Sequence, residues 1–185
     1  EKPVFFPEEF YWLVGCVEPG FAENGEEIRN GYGSNISFRR DVFLEAGGYD
    51  THTGRRGEKH IQAHEAPVCI RIRELTGKGV LYTDDAVVDH KLFDYRGEFG
   101  WLVFRSFWQG YSKRVMETLV LESIDEESDF LKTLFGTHVP QRLWGLLNDP
   151  DCGKVTRLIM LVGFTMAVGV GYLYGATKYS YNENI

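Results

Sequence analysis

Between Arg157 and Lys178 the chain runs from Leu158 to Thr177 without a single charged residue. At 1.5 Å per residue, a helix of that length reaches about 30 Å, the thickness of a bilayer's hydrocarbon layer. A buried helix of a soluble core normally carries a polar stripe, and this segment has none. It is therefore read as a single C-terminal membrane span. Gly163, Gly169, Gly171 and Gly175 within it are residues that membrane helices use for close helix contacts. Lys154 and Arg157 precede the span and Lys178 and Glu183 follow it, a bias that puts the body on the cytoplasmic side of the cell membrane and the C-terminus outside.

Ahead of the span, Trp101, Phe104, Phe107, Trp108 and Tyr111 crowd one region at mostly helical spacing, interleaved with Arg105, Lys113 and Arg114. That mixture suits either a headgroup layer or a core helix beneath the preceding domain, and the residues alone leave both open. Ser123 to Glu126 has the form of a capping box opening an amphipathic helix through Phe130, Leu131, Leu134 and Phe135. Pro140 is expected to interrupt it, with a short apolar helix following over 141–147. These helices are expected to rest on a bilayer surface. Asp149-Pro150-Asp151 has the letters of a metal motif but reads as a turn.

A chain of 185 residues, 43% hydrophobic and 15% aromatic, can bury one core with an appendage. The net charge of -7, with 20 Lys and Arg spread along the chain, excludes a nucleic-acid-binding surface. Cys16, Cys69 and Cys152 lie far apart, are odd in number and are read as reduced and mostly buried. No His and Cys cluster at zinc spacing occurs. The chain opens at Glu1 with no leader pattern, and it is expected to be a piece of something longer.

Residues 1–95 read as an α/β domain, 96–153 as membrane-proximal amphipathic helices, and 154–185 as the span and a short tail. Within the first part, Asn35 to Phe38 is predicted as a strand and Asp41 to Ala46 as a helix capped by Asp41 and stopped by Gly47. Pro67 fits the first turn of the next helix, with Val68, Ile72 and Leu75 as its buried stripe and Gly77 and Gly79 at its end. Val80 to Tyr82 and Ala86 to Val88 are predicted as short strands.

Glu65 opens that helix, where the macrodipole favours a carboxylate; a helix-start Glu is most often only a cap. His90 ends the segment Asp85 to His90, and a neutral imidazole there is either hydrogen-bonded to backbone or a ligand for Mn²⁺. Lys113 and Arg114 either neutralise phosphate or snorkel at an interface. Arg29-Asn30-Gly31-Tyr32-Gly33-Ser34-Asn35 offers small side chains and backbone donors to a sugar or phosphate. It has neither a Walker loop nor the third glycine of a dinucleotide fingerprint.

The run Gly33-Ser34-Asn35-Ile36-Ser37-Phe38-Arg39-Arg40-Asp41-Val42-Phe43, closed by Gly47-Gly48-Tyr49-Asp50 and followed by Glu65 and His90, resembles the second half of family 2 glycosyltransferases. The likeness covers roughly residues 10 to 115 and is nearest to the haloarchaeal group that extends glycans on dolichyl phosphate in protein N-glycosylation. It implies the acceptor-side half of a GT-A-type mixed sheet with flanking helices. In the family pattern Ala63-His64-Glu65 stands where Gly-Glu-Asp or Gly-Glu-Glu leads into a Cys-Leu-Arg helix, here Cys69-Ile70-Arg71, so the catalytic base falls on Glu65. His64 and Ala63 depart from the motif. His90 matches the family's strand-ending histidine, which faces the nucleotide diphosphate or its metal. Arg105, with Phe107-Trp108-Gln109-Gly110-Tyr111-Ser112-Lys113-Arg114, echoes the aromatic and basic segment of membrane-bound members.

The resemblance implies an inverting transfer from a nucleotide-sugar donor to a lipid-linked glycan acceptor, assisted by a divalent metal, Mn²⁺ or Mg²⁺. That metal would be held largely by an Asp-x-Asp motif this chain lacks. Arg29, Asn30, Ser34, Asn35, Arg105, Gln109, Lys113 and Arg114 become the expected acceptor- or phosphate-binding residues. A noncatalytic, membrane-anchored interaction subunit derived from such an enzyme is the rival reading. A metal hydrolase using His60, His64 and Glu65 is disfavoured by Pro67.

Overall fold

The structure, a computed structural model, describes residues 3–17, 21–50, 60–61, 65–119 and 131–178. Among these, helix dominates and the only sheet has two strands, β1 (Glu27–Ile28) and β2 (Val80–Leu81), paired antiparallel with Glu27 opposite Leu81. Tyr82 N–H donating to Glu26 O at 2.8 Å and Gly25 N–H donating to Tyr82 O at 2.9 Å extend the ladder slightly.

Two predicted strands are not formed. Residues 36–38 have no regular structure, and Asn35 makes only an isolated bridge to Tyr32. Residues 86–90 are irregular as well, with Val87 80% exposed. Their β-forming side chains fit a ladder, but among the described residues no neighbouring strand offers the backbone partners a ladder needs. The two segments are tied instead by the Asn35 side-chain amide, which donates to Ala86 O at 2.6 Å.

Helix α1 (Arg40–Glu45) forms one residue earlier than predicted. Arg39 occupies the cap position with no side-chain cap, and Asp41 sits in the first turn, ion-paired to Arg39 at 2.7 Å. The helix ends on Gly47 and Gly48, at φ +80° and +65°, with Gly48 N–H donating back to Phe43 O at 2.9 Å. This is the left-handed closure that glycine permits cheaply. The last carbonyls are taken by Arg71 of α2 (Glu65–Thr76): its Nε donates to Ala46 O at 2.8 Å and its terminal nitrogen to Gly48 O.

In α2 the residues from Ala66 to Ile70 are buried, whereas Leu75 is exposed, contrary to the expected stripe. Only the first half of this helix packs into the core, Ala66 joining Tyr111, Val115 and Met116 of α3 (Phe99–Leu119). Gly77, at φ +68°, ends it as expected.

After α3, Leu131 to Thr133 lead through a π turn, Leu134–His138, into α4 (Val139–Asn148). Pro140 therefore does not break the path. The wider π turn absorbs the missing N–H and the clash with the carbonyl four residues back. The capping box at Ser123 to Glu126, with Phe130, lies outside the described residues. A turn through Asp149 and Pro150 leads into α5 (Cys152–Lys178), whose start is capped by Asp151 accepting from Lys154 N–H at 3.0 Å.

Helix α5 is long and apolar enough to cross a membrane. One face carries exposed Ile159, Val162, Met166, Val170 and Leu173. The other packs along α3 in the same direction: Phe99 meets Phe164, Phe107 O faces Gly171, and Arg114 lies on Gly175. At the crossing, a Cβ on Gly110 would overlap Val168 O and one on Gly171 would overlap Phe107 O. The sequence left α3 between headgroup layer and core; the structure makes it the central core helix. Its Leu102 joins Leu161 and Phe164, together with Phe6 and with Phe10 and Leu13 from the 3₁₀ segment Glu8–Val14. That segment is also clamped to α4 by Arg142, which donates to both Glu9 carboxylate oxygens at 2.7 and 2.6 Å. Burial alone would raise the Glu9 pKa, but the Arg142 hydrogen bonds and charge outweigh it and hold the carboxyl below its usual range.

Candidate active site

A cavity of about 750 Å³ opens between the 3₁₀ segment, the loop around β1, the start of α2 and one face of α3. Glu65 lines it because Ala66, one residue on, is locked beneath α3. Its carboxylate lies directly on Gly33, where a Cβ would collide with Oε1. The carboxylate's charge reaches its neighbours: the Cys69 thiol and the Tyr49 phenol are each pushed up by burial first and by Glu65 second among the raising effects.

His90 lines the same cavity. Its imidazole rests on Gly15, whose φ of +76° and lack of a side chain leave room; a Cβ there would sit 3.0 Å from the ring. Although no strand delivers it, the structure brings His90 and Glu65 to one cleft. Among the described residues no three His, Cys, Asp or Glu side chains converge as a ligand set, so these residues do not by themselves make a metal centre. His60 packs its ring on Phe104 and Trp108, at 5.0 and 5.6 Å, and His64 lies outside the described residues.

The expected binding residues divide in two. Arg29, Asn30 and Ser34 line the Glu65 cavity from the β1 loop, where Arg29 Nε donates to the Asn30 side chain at 3.1 Å. Arg105, Gln109 and Lys113 line it from α3 at intervals of four residues. Arg105 Nε donates to Leu13 O at 3.1 Å, and the Lys113 ammonium lies 5.9 Å from the Trp12 ring centroid. The structure places the other two elsewhere. Asn35 lines the neighbouring cavity of about 1080 Å³, which the unformed strand segments flank. Arg114 faces the α3–α5 seam, ion-paired to Glu117 at 2.9 Å, and Tyr172 donates to the same carboxylate oxygen at 2.7 Å.

Sequence reasoning missed three wall residues, Trp12, Arg96 and Trp101. Trp101 was visible as a helical aromatic, and its place four residues before Arg105 is the signal that puts it on the cavity face. Trp12 and Arg96 carry no local signal, since only the fold brings them to the cleft.

No protein-family profile matches the chain, and no solved structure matches it. Over 174 residues, 94% of its length, the chain is 64% identical to a glucosyl-dolichyl phosphate glucuronosyltransferase of Haloferax volcanii. It spans 56% of that relative's length, matching the C-terminal half. This supports the resemblance drawn from the residues: over nearly its whole length the chain is similar to the C-terminal half of a haloarchaeal protein named as a dolichyl-phosphate glycosyltransferase.

Proposed function

We propose that the chain provides the acceptor side of a glycosyltransferase that moves a sugar from a nucleotide-sugar donor to a lipid-linked, dolichyl-phosphate glycan. The observation carrying this reading is the shared cavity, which sets the Glu65 carboxylate among Arg29, Arg105 and Lys113, with Glu26 and Glu27 on the β1 side of the wall. The relative's name suggests glucuronate as the sugar and a glucosyl-dolichyl phosphate as the acceptor.

Glu65 takes the proton from the acceptor hydroxyl, and that oxygen attacks the anomeric carbon from the face opposite the leaving group. The bond to the nucleotide diphosphate breaks, and the configuration inverts. A base is worth roughly 10²- to 10⁴-fold in such a step. Gly33 beneath the carboxylate lets it sit flush on the loop, so the acceptor approaches from the cavity side. The donor nucleotide would be held by the part of a full-length relative that lies outside the match, completing a GT-A-type sheet against segments 35–38 and 86–90, which join no sheet among the described residues. His90 would contribute one ligand to a divalent cation, Mn²⁺ or Mg²⁺, whose other ligands come from that part. Helix α5 anchors the assembly in the cell membrane with the catalytic body on the cytoplasmic side.

Replacing Glu65 by Gln in the full-length protein should lower turnover by at least a hundredfold while leaving nucleotide-sugar affinity unchanged. Turnover within a few-fold of the unaltered protein would reject the assignment.

A further inference from the structure

Arg96 stands on the wall of the Glu65 cavity, at the end of the short 3₁₀ turn Asp94–Gly97 that leads into α3. Its guanidinium carbon lies 5.7 Å from the Phe93 ring centroid, 5.8 Å from Tyr95 and 5.9 Å from Trp101. Its Nε donates to the Tyr95 hydroxyl at 3.3 Å. Among the described residues no carboxylate pairs with it, although Asp94 begins its turn and Glu98 follows it. Aromatic faces hold a guanidinium in place without consuming its in-plane N–H groups, which stay free for a bidentate oxyanion.

The rest of the wall continues the pattern. Trp101, Arg105, Gln109 and Lys113 follow at four-residue steps, a stripe roughly 18 Å long at 1.5 Å per residue. Lys113 ends it against Trp12 as Arg96 begins it against Trp101. The acids of the opposite loop are engaged with backbone: Glu26 accepts from Glu23 N–H at 2.8 Å and Glu27 from Gly79 N–H at 3.0 Å. Glu65 and the basic residues Arg96, Arg105 and Lys113 line the same cavity.

We infer that Arg96 binds an oxyanion of a reactant in the Glu65 cavity, through its free guanidinium edge, and thereby positions that reactant along the α3 stripe. This rests on the proposed transferase reading. The oxyanion is either the phosphate of the lipid-linked acceptor or an anionic group of the donor, since both offer paired oxygens at the guanidinium spacing.

The test is steady-state kinetics on the full-length membrane-bound protein with Arg96→Ala and Arg96→Lys, varying acceptor and donor separately. Arg96→Ala should raise one KM by roughly tenfold or more, as expected for a lost charge-assisted bond. A rise for the lipid-linked acceptor assigns the phosphate; a rise for the nucleotide sugar assigns the donor anion. Arg96→Lys keeps the charge but not the planar fork and should recover only part of the loss. Both KM values unchanged in Arg96→Ala, whether or not the thermal midpoint falls, would overturn the inference. Because Glu65→Gln is scored on turnover, that result would leave the base assignment standing, and retained turnover in Glu65→Gln would fail the base alone.

Discussion

At the scale of single residues, the site depends on Gly33 as much as on Glu65. The glycine is not among the positive-φ residues, so its backbone tolerates a side chain, and what a methyl group would meet is the end of a flexible carboxylate. Gly33→Ala should therefore leave the unfolding midpoint nearly unchanged while displacing Glu65 Oε1. Displacements of about 1 Å at a reacting group can cost on the order of a hundredfold. Turnover should fall roughly ten- to a hundredfold with donor KM unaltered, read by the same kinetic assay beside a thermal melt. Glu65 and His90 were legible because the family pattern runs through them in order. Arg96 was not, because its aromatic neighbours Phe93 and Tyr95 look like ordinary loop residues until the fold stacks them around a guanidinium.

At the scale of elements, helices were easier to read than strands, and the reason is physical. A helix closes its hydrogen bonds within one segment, so caps, glycine stops and apolar stretches announce α1, α2 and α5 locally. A strand needs a partner, and segments 35–38 and 86–90 had the residues without such neighbours among the described residues. The glycines of α5 divide in a way the sequence did not reveal: Gly171 and Gly175 face α3, while Gly163 and Gly169 have nothing within 4 Å of an added Cβ. Gly171→Ala, driven into the Phe107 carbonyl, should destabilise by about 1–3 kcal/mol or more. Gly163→Ala should be neutral or add about 0.5–1 kcal/mol through helix propensity. Thermal or denaturant unfolding of the two variants in one detergent separates them, and equal effects would mean that α3 and α5 do not meet as described.

At the scale of the whole molecule, the cavity is assembled from pieces far apart in the chain: the β1 loop, the start of α2, His90 and the α3 stripe. The buried contact of Ala66 with Tyr111, Val115 and Met116 brings Glu65 opposite that stripe, and the glycine seam binds α3 to the apolar helix α5. The Glu65 carboxylate, the basic α3 wall and the membrane-compatible helix are thus parts of one packed unit, an arrangement suited to the proposed acceptor that arrives on a lipid. The most direct measurement is an experimental structure of the full-length protein with a lipid-linked glycan acceptor bound. The account predicts an acceptor hydroxyl within about 3 Å of the Glu65 carboxylate and the acceptor lying along Trp101, Arg105 and Lys113. An acceptor seated in the neighbouring cavity beside Asn35 and Val87, with Glu65 untouched, would contradict it.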